Sequence, residues 1–224
     1  MRFILGLLLM IWLPLSVNGQ EANQKMAETT KEKSSYKIGI IIGSTRPNKI
    51  GGQVAEWVSQ QVQKTPNLQF TLVDLEKWNL PLFNEPGMPL NGPQTYTHAH
   101  TKKWSQEIAS YDGYIFVTPQ YNCGYPASLK NAIDYLYVEW KEKPAIIVSY
   151  GFQNGGEKAA TQLKQVLDCF NMKLTSTMPA IGLAPQMLNE KKKLKNTAED
   201  FKPYQEMLLK SIQEFMDIFL SNEK

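Results

Sequence analysis

The sequence predicts an α/β fold in which helices cover both faces of one five-stranded parallel sheet, forming a three-layer sandwich. Short β-branched runs alternate with helical patterns five times along the chain, and this alternation is typical of parallel sheets joined by right-handed crossovers. Polar, glycine-bearing stretches follow the first, third and fourth predicted strands. The chain has 224 residues, of which 42% are hydrophobic and 20% charged, so it is long enough to bury a sizeable core.

The first strand is predicted at Ile38–Ile42, a β-branched run that ends at Gly43. A helix follows at residues 50–64, because apolar residues recur there at helical spacing. Residues 68–75 predict the second strand. Four prolines between Pro81 and Pro93 then indicate a long loop, and a loop of that length in a compact domain usually serves a function or a partner.

The second half of the chain continues the alternation. Strands are predicted at residues 113–118 and 143–151, with a fifth strand or extended stretch at 172–183, and helices at 94–110, 127–137, 155–170 and 199–220. Residues 185–196 contain a lysine run that reads as a solvated surface excursion. Five strands fit the flavodoxin-like order 2-1-3-4-5, in which ligands bind beyond the carboxyl ends of strands 1 and 3.

The loop after strand 1, GSTRPNKIGG, has the residue types of a phosphate site. Gly43 allows a tight turn, Ser44 and Thr45 carry hydroxyls, and the next helix begins with N–H groups that favour an anion. Arg46 can bind phosphate oxygens in bidentate fashion, and Lys49 adds a point charge. The dinucleotide and Walker patterns are absent. The alternative is an ordinary capped helix start with solvated charges.

The loop after strand 3, TPQYNCGY, suits a flat heteroaromatic ring. Pro119 ends the strand, Tyr121 offers an aromatic face, and Asn122 has an amide that both donates and accepts. Gly124 permits a close backbone approach. The alternative is a structural turn with a packed tyrosine.

The chain resembles the NAD(P)H-dependent FMN reductase family of flavodoxin-like quinone, azo-dye and metal-ion reductases. The resemblance runs from about Lys37 to Met178 in three ordered motifs, IGIIIGSTRPNKIGGQVAEWV, TPQYNCGYPASLKNAIDYL and PAIIVSYGFQNGGEKAATQLKQVL. In that family the first motif binds the FMN phosphate, here Gly43, Ser44, Thr45 and Arg46. The second holds the isoalloxazine, here Pro119, Tyr121, Asn122, Gly124, Pro126, Leu129, Lys130, Asn131, Ala132 and Asp134. The third borders the flavin, here Ser149, Tyr150, Gly151, Gly155 and Gly156.

The chain departs from the family pattern at Gln120, where members usually have glutamate. An amide keeps the hydrogen-bonding capacity of that position and loses its charge. With this residue and Lys49 included, the predicted cofactor-binding set is Ser44, Thr45, Arg46, Lys49, Pro119, Gln120, Tyr121, Asn122, Gly124, Ser149 and Gly151.

The resemblance implies an enzyme that passes hydride from NADPH or NADH to FMN, and electrons onward to a quinone-like, azo or metal-ion acceptor. It requires no catalytic side-chain acid or base, since the cofactor carries the chemistry. Such reductases are commonly homodimers or homotetramers, and residues 81–93 would complete the site from a partner subunit. Two alternatives stay open: a flavin-binding electron carrier and an exported binding module that has lost FMN. The formal net charge of +3 disfavours the carrier, because shuttle flavodoxins are usually acidic.

The first 19 residues predict a secretory signal peptide. Arg2 precedes an uncharged apolar stretch that is short for a membrane span. An uncleaved membrane anchor is the alternative. A polar linker is predicted at residues 20–35 and a single domain at 36–224, so the protein is expected to be exported.

Other functional classes have weak support in the sequence. A net charge of +3 is too small to predict nucleic-acid binding. His98 and His100 are spaced poorly for a metal site on a helix, and none is predicted. Cys123 and Cys169 do not form a disulfide framework, and Cys123 is interpreted as a small loop residue rather than a redox thiol.

Overall fold

In the computed structural model, which describes residues 35–222, a parallel sheet lies between two layers of helices. The predicted signal peptide of residues 1–19 and residues 20–34 of the predicted linker lie outside the described residues. Within the described range, no helix is both long enough and apolar enough to span a bilayer.

The strands are β1 (Tyr36–Ile42), β2 (Leu68–Asp74), β3 (Gly113–Pro119), β4 (Pro144–Gly151), β5 (Lys173–Leu174) and β6 (Ala180–Gly182). They lie in the order β2-β1-β3-β4-β5, with β6 also paired to β4, and every pair is parallel. The predicted three-layer α/β sandwich with strand order 2-1-3-4-5 is confirmed. The order reverses between β1 and β3, so the loops after these strands meet at one edge.

The helices are α1 (Gly51–Val62), α2 (Leu75–Trp78), α3 (Ala99–Ala109), α4 (Ala127–Asp134), α5 (Glu157–Asp168), α6 (Thr197–Asp200) and α7 (Gln205–Asn222). α1 and α7 cover one face of the sheet, and α3, α4 and α5 cover the other. The side chains of β1 show why two layers form. Ile40 packs toward α1, while the next residue, Ile41, packs toward Trp104 of α3, as the twofold repeat of a strand requires.

The predicted fifth strand is divided into β5 and β6, which both pair with β4. Between them the chain leaves the sheet, and Glu214 of α7 accepts hydrogen bonds from the Thr177 amide and hydroxyl at 2.9 and 2.6 Å. Pro179 precedes β6 and has no N–H to donate to a sheet. The interruption therefore has a local cause that the apolar pattern alone did not reveal.

The proline-rich segment is an ordered loop held by side chains from α4 and from within the segment. Asn131 accepts a hydrogen bond from the Phe83 amide at 2.8 Å and donates one to the Pro81 carbonyl at 2.7 Å. The carboxylate of Glu85 accepts from the Thr97 and His98 amides at 2.8 and 2.9 Å. Burial alone would raise the pKa of Glu85, but its hydrogen bonds outweigh burial and lower that pKa.

Two predicted helices are shorter than their sequence patterns. Residues 93–95 form a separate 3₁₀ turn before α3. The predicted helix at 199–220 is interrupted at Lys202–Tyr204, a 3₁₀ turn with Pro203 near its start. Proline fixes φ and lacks an N–H, so it separates α6 from α7.

Candidate functional site

The loops after β1, β3 and β4 converge on a cleft of about 600 Å³. Residues 46–50, 119–121 and 150–152 form three of its walls. Their meeting follows from the register, since Ile42 of β1 lies opposite Val117 of β3, and Thr118 lies opposite Ser149 of β4. The carboxyl ends of the three central strands therefore deliver their loops to one place.

In the first loop, the hydroxyl of Ser44 joins two walls of the cleft. Ser44 is fully buried, and its Oγ lies 2.7 Å from the Oη of Tyr121. It also accepts a hydrogen bond from the Arg46 amide at 3.3 Å. The guanidinium carbon of Arg46 lies 5.3 Å from the centroid of the Tyr121 ring, which is within the range of a cation–π contact. Ser44 thus positions Arg46 and Tyr121 and is not itself part of the cleft surface.

Helix α1 begins at Gly51 directly after this loop. No side chain caps its start, and its first turn has no acidic residue. The first N–H groups of such a helix remain available to an anion. A Cβ on Gly51 would lie 2.7 Å from the Oη of Tyr150, so only glycine lets the helix start pack this closely against the third loop.

Lys49 lies beside the cleft, but its ammonium group is paired with carboxylates. Its Nζ lies 3.0 Å from Asp74 and also contacts Glu76. Burial alone would lower the pKa of Lys49, but the hydrogen bonds with Glu76 and Asp74 outweigh it and raise the pKa. The predicted point charge is therefore neutralised locally. Asp74 is the last residue of β2, which lies beside β1 in the sheet. The adjacency of these two strand ends could have indicated the ion pair between Lys49 and Asp74.

In the second loop, residues 121–124 form a tight turn with two reciprocal backbone hydrogen bonds. The Tyr121 amide donates to the Gly124 carbonyl at 2.8 Å, and the reverse bond is 2.9 Å. Asn122 and Cys123, at the centre of the turn, have φ values of 49° and 68°. Two successive left-handed residues define a type I′ turn, in which asparagine is favoured at the first position and glycine at the second. Both central residues are exposed, and the turn fixes the direction of Tyr121.

Gln120 offers an unpaired acceptor in the cleft wall. Its backbone amide donates to the Tyr150 carbonyl at 3.1 Å. Its side-chain Oε1 is buried and has no hydrogen-bond partner among the described residues. A buried polar atom without a partner is unfavourable, so this atom indicates a position for a ligand that brings a donor.

In the third loop, Ser149 is fully buried and its Oγ donates to the Gly155 carbonyl at 2.8 Å. Gly155 and Gly156 have φ values of 58° and 84°. A Cβ at Gly155 would lie 2.4 Å from the carbonyl carbon of Ala180. Ser149 and these glycines therefore shape the loop that carries Gly151 and Phe152 to the cleft.

The predicted site residues divide into four groups. Six line the cleft: Arg46, Lys49, Pro119, Gln120, Tyr121 and Gly151. Ser44 and Ser149 brace the loops from beneath, and Asn122 and Gly124 belong to the type I′ turn. Thr45 lines a separate cavity of about 260 Å³ between the first loop, α2 and α4.

The fourth wall of the cleft was missed by sequence reasoning. It comes from Leu183 and from a hairpin at residues 185–196, whose strands pair through an antiparallel bridge between Leu188 and Leu194. The side chain of Gln53 in α1 both donates to the Leu194 carbonyl and accepts from its amide, each at 3.0 Å. This contact fixes the supposed surface excursion beside the cleft. No local sequence pattern indicates a contact between Gln53 and Leu194, which are 141 positions apart in the chain.

The charged side chains that line the cleft in the described part of the chain are all basic. Its lining among residues 35–222 includes Arg46, Lys49 and Lys192 and has no acidic or histidine side chain. Burial raises the pKa of Tyr150, so that this phenol stays protonated at neutral pH. Elsewhere in the described range, no group of three or more histidine, cysteine or acidic side chains is arranged to hold a metal. His98 and His100 stack on each other at 5.1 Å, and Cys123 and Cys169 are free thiols.

Comparison with known proteins finds relatives that match most of the chain. An NAD(P)H-dependent FMN reductase of Schizosaccharomyces pombe is 42% identical over 190 residues, which cover 85% of this chain and 94% of the relative. A quinone reductase of Pseudomonas putida is 29% identical over 197 residues, covering 83% and 94% of the two chains. Both relatives therefore match this chain along most of its length.

A solved structure also shares the fold. The flavoenzyme NAD(P)H:(acceptor) oxidoreductase of Paracoccus denitrificans superposes with a TM-score of 0.57 at 23% identity, over 80% of this chain and 98% of the other. The sequence model of the NADPH-dependent FMN reductase family matches residues 36–186. That range includes β1 to β6 and the three loops of the cleft. The chain therefore belongs to the NADPH-dependent FMN reductase family.

Proposed function

We propose that this chain is an NAD(P)H-dependent oxidoreductase that holds FMN in the cleft and reduces a quinone-like acceptor there. The observation that carries the proposal is one cleft with a guanidinium, a helix start and a carboxamide oxygen that no side chain among residues 35–222 hydrogen-bonds. These are the partners that a phosphorylated flavin needs. When bound, FMN accepts hydride from the nicotinamide and supplies the electrons for the acceptor.

The first loop fits the phosphate of FMN. Within the described residues, the guanidinium of Arg46 makes no hydrogen bond or ion pair and lies over Tyr121. The N–H groups at the start of α1 add a favourable dipole for an anion. Arg46 would hold the phosphate. The hydrogen bond between Ser44 and Tyr121 would keep the Tyr121 ring in place beside the Arg46 guanidinium.

The second and third loops fit the ring of the flavin. Oxidised flavin has one ring N–H donor, and the buried Oε1 of Gln120 is an acceptor that has no partner in the described part of the chain. Tyr121 adds an aromatic surface. Since Gly151 lies in the cleft wall without a side chain, a flat ring could approach the backbone there closely. These residues bind and orient the ring.

The acceptor would be a small aromatic molecule. Phe152 lies in the cleft wall with 59% of its surface exposed. An exposed phenyl ring beside a redox cofactor gives a quinone-like acceptor a surface for stacking. The cleft lining described above has no acidic or histidine side chain, so the acceptor would be recognised by ring contacts. Steady-state assays with a quinone, an azo dye and a metal ion as acceptors would decide among the three classes.

The oligomeric state belongs to the proposal. The proline-rich segment exposes Leu82, Phe83, Met88 and Leu90, with Leu82 83% exposed. Asn131 and Glu85 hold this apolar patch in an ordered shape. Several large exposed apolar side chains in one ordered segment favour an interaction surface, and we propose that this segment forms a homodimer or homotetramer interface. Sedimentation equilibrium that finds a monomer at micromolar concentration, and a monomer that is fully active, would contradict this.

Export is also proposed, on the sequence alone. Arg2 and the uncharged apolar stretch after it favour a signal peptide at residues 1–19. N-terminal sequencing of the protein from its native cell tests the proposal. A mature protein that begins near Gln20 supports cleavage, whereas an intact N-terminus in a cytosolic fraction contradicts export.

The cofactor is tested by purifying the protein and identifying any bound flavin by absorbance and mass. We expect a yellow protein that releases FMN. FMN should bind at least tenfold more tightly than riboflavin to the parent, because the hydrogen bonds and charge at Arg46 act on the phosphate. Arg46→Ala should reduce this preference. A protein that takes up no FMN would overturn the proposed function.

The electron-carrier alternative is tested by stopped-flow mixing of the flavin-loaded protein with NADH and NADPH. A reductase should lose the visible absorbance of its oxidised flavin on a catalytic timescale, because the flavin accepts the hydride. Reduction by neither nucleotide would favour a carrier. A folded protein that binds no flavin would favour the binding-module alternative.

A further inference from the structure

The hairpin at residues 185–196 carries four lysines, and the structure separates their roles. Lys193 donates from its Nζ to the Lys49 carbonyl at 2.8 Å, and Lys195 donates to the Gln186 carbonyl at 2.8 Å. These two ammonium groups stabilise the hairpin and its contact with the first loop. Lys191 and Lys192 make no side-chain hydrogen bond or ion pair with the described part of the chain, and both are exposed.

Lys192 differs from Lys191 in its position. Lys192 lines the cleft, whereas Lys191 lies in a shallow depression on the hairpin with Glu190 and Lys195. The hairpin cannot easily move Lys192 away, because the Gln53 side chain clamps the backbone of Leu194. Lys192 therefore brings to the cleft wall a cation that is unpaired among the described residues.

The backbone at Lys192 is also unusual. Its φ is 58°, and its amide donates to the Asn189 carbonyl at 2.9 Å, closing the hairpin turn. This left-handed position favours glycine, and a long side chain there is unfavourable for the turn itself. The turn therefore gives no structural reason for a lysine, and its place in the cleft wall offers a functional one.

The charge balance of the cleft indicates the ligand. Lys49 is neutralised by Asp74 and Glu76, so the unpaired cations in the lining among residues 35–222 are Arg46 and Lys192. No carboxylate in that lining offsets them. One cation suffices for a single phosphate when a helix start assists it. A second, on a wall contributed by a different part of the chain, can bind either that same phosphate or a further anionic group.

We propose that Lys192 is a specificity-determining residue that binds a phosphate monoester in the cleft. This rests on the proposed function, and two reactants supply that group: the 2′-phosphate of NADPH and the 5′-phosphate of FMN. The 2′-phosphate is present in NADPH and absent from NADH, so a contact with it would make the enzyme prefer NADPH. Lysine interacts with phosphate as a point charge.

The test compares Lys192→Gln and Lys192→Gly with the matched control Lys191→Gln in the full-length protein, loaded with FMN for the kinetic measurement and stripped of flavin for the flavin-binding measurement. Two ratios are measured at low ionic strength: kcat/KM for NADPH over that for NADH, and the dissociation constant of riboflavin over that of FMN. Binding of NADP⁺ and NAD⁺ by calorimetry gives a readout that does not depend on turnover. Lys192→Gly is informative because it relieves the left-handed strain, so its thermal midpoint should not fall.

Both Lys192 variants should lower one of the two ratios about tenfold, as expected for loss of a charge-assisted contact. A lower NADPH preference, with weaker NADP⁺ binding, assigns the 2′-phosphate. A lower FMN preference assigns the 5′-phosphate. Lys191→Gln should leave both ratios within twofold of the parent, and added salt should reduce the difference between parent and variant.

The proposal is overturned if both Lys192 variants keep both ratios, or if Lys191→Gln changes them equally, which would show a nonspecific charge effect. Failure of the proposed function has a different signature, because a protein that binds no flavin or is reduced by neither nucleotide fails before any substitution is made. The two failures are therefore distinguishable.

Discussion

Replacing Gly155 with alanine should destabilise the fold, because a Cβ at this position would clash with the backbone of β6. The new Cβ would lie 2.4 Å from the Ala180 carbonyl carbon and 2.5 Å from its oxygen. Both atoms belong to the backbone of β6, so no side-chain rotation relieves the clash. The φ of 58° at this residue adds the left-handed penalty that any Cβ brings.

The magnitude follows from these two contributions. A left-handed residue with a Cβ costs about 1–2 kcal/mol, and forcing an extra methyl group into a packed site costs roughly 1–3 kcal/mol. The free energy of unfolding should therefore fall by about 2–5 kcal/mol. For a fold of this size each kcal/mol lowers Tm by about 2–4 °C, so the middle of the range corresponds to a loss of about 10 °C.

The assay is urea and thermal unfolding followed by circular dichroism, with Gly52→Ala as the matched control. A Cβ on Gly52 would meet no atom of residues 35–222 within 4 Å and lies inside α1, so this variant should gain up to about 1 kcal/mol. Because Ser149 binds the Gly155 carbonyl, Gly155→Ala should also weaken FMN binding. An unchanged Tm for Gly155→Ala, or an equal loss for Gly52→Ala, would refute the reasoning.

Three further predictions concern the loops and the proline-rich segment. Cys123→Gly should raise the free energy of unfolding by up to about 1 kcal/mol because it removes a left-handed side chain, whereas Cys123→Ser should not; denaturant titration measures both. Glu85→Gln should cost about 1–2 kcal/mol at pH 7. Because the pKa of Glu85 is lowered below 4.5 by folding, the difference from the parent should shrink as the pH falls through that lowered pKa; unfolding between pH 3 and 7 tests this. Phe152→Ala should raise KM for an aromatic quinone severalfold and leave KM for ferricyanide unchanged in steady-state assays.

Each of these predictions has a contradicting outcome. Equal stability of Cys123→Gly and Cys123→Ser would mean that the turn is not strained by its side chain. A Glu85→Gln deficit that stays constant with pH would show that the carboxylate charge is irrelevant. Equal rises in KM for both acceptors would remove the role of Phe152 in stacking.

The sequence allowed the sheet and the three strand-end loops to be predicted, because both depend on local patterns. The run Ile38–Ile42 identifies a buried strand by its composition, and the strand order follows from a short list of allowed topologies. The position of Ser44 beneath Tyr121 could not be predicted. It depends on side-chain directions in two loops that are 77 residues apart in the chain.

The fourth wall of the cleft was beyond local patterns for a related reason. Its lysine run has no apolar periodicity and resembles a solvated surface. Gln53 fixes it through a contact 141 residues away in sequence, and a polar side chain in the first turn of a helix gives no indication of such a partner. The division of the fifth strand into β5 and β6 likewise depends on a distant residue, Glu214, together with Pro179 within the predicted strand.

The two borders of the sheet differ in how readily they would recruit another chain. On one side, the edge consists of β5 and β6, which have only two and three residues and are separated by a stretch outside the sheet, so little unpaired backbone is left to template a foreign strand. On the other side, β2 has seven residues and pairs only with β1 among residues 35–222. Aggregation by edge-to-edge strand addition should therefore begin at β2, and a lysine in place of the exposed Leu72 would oppose it.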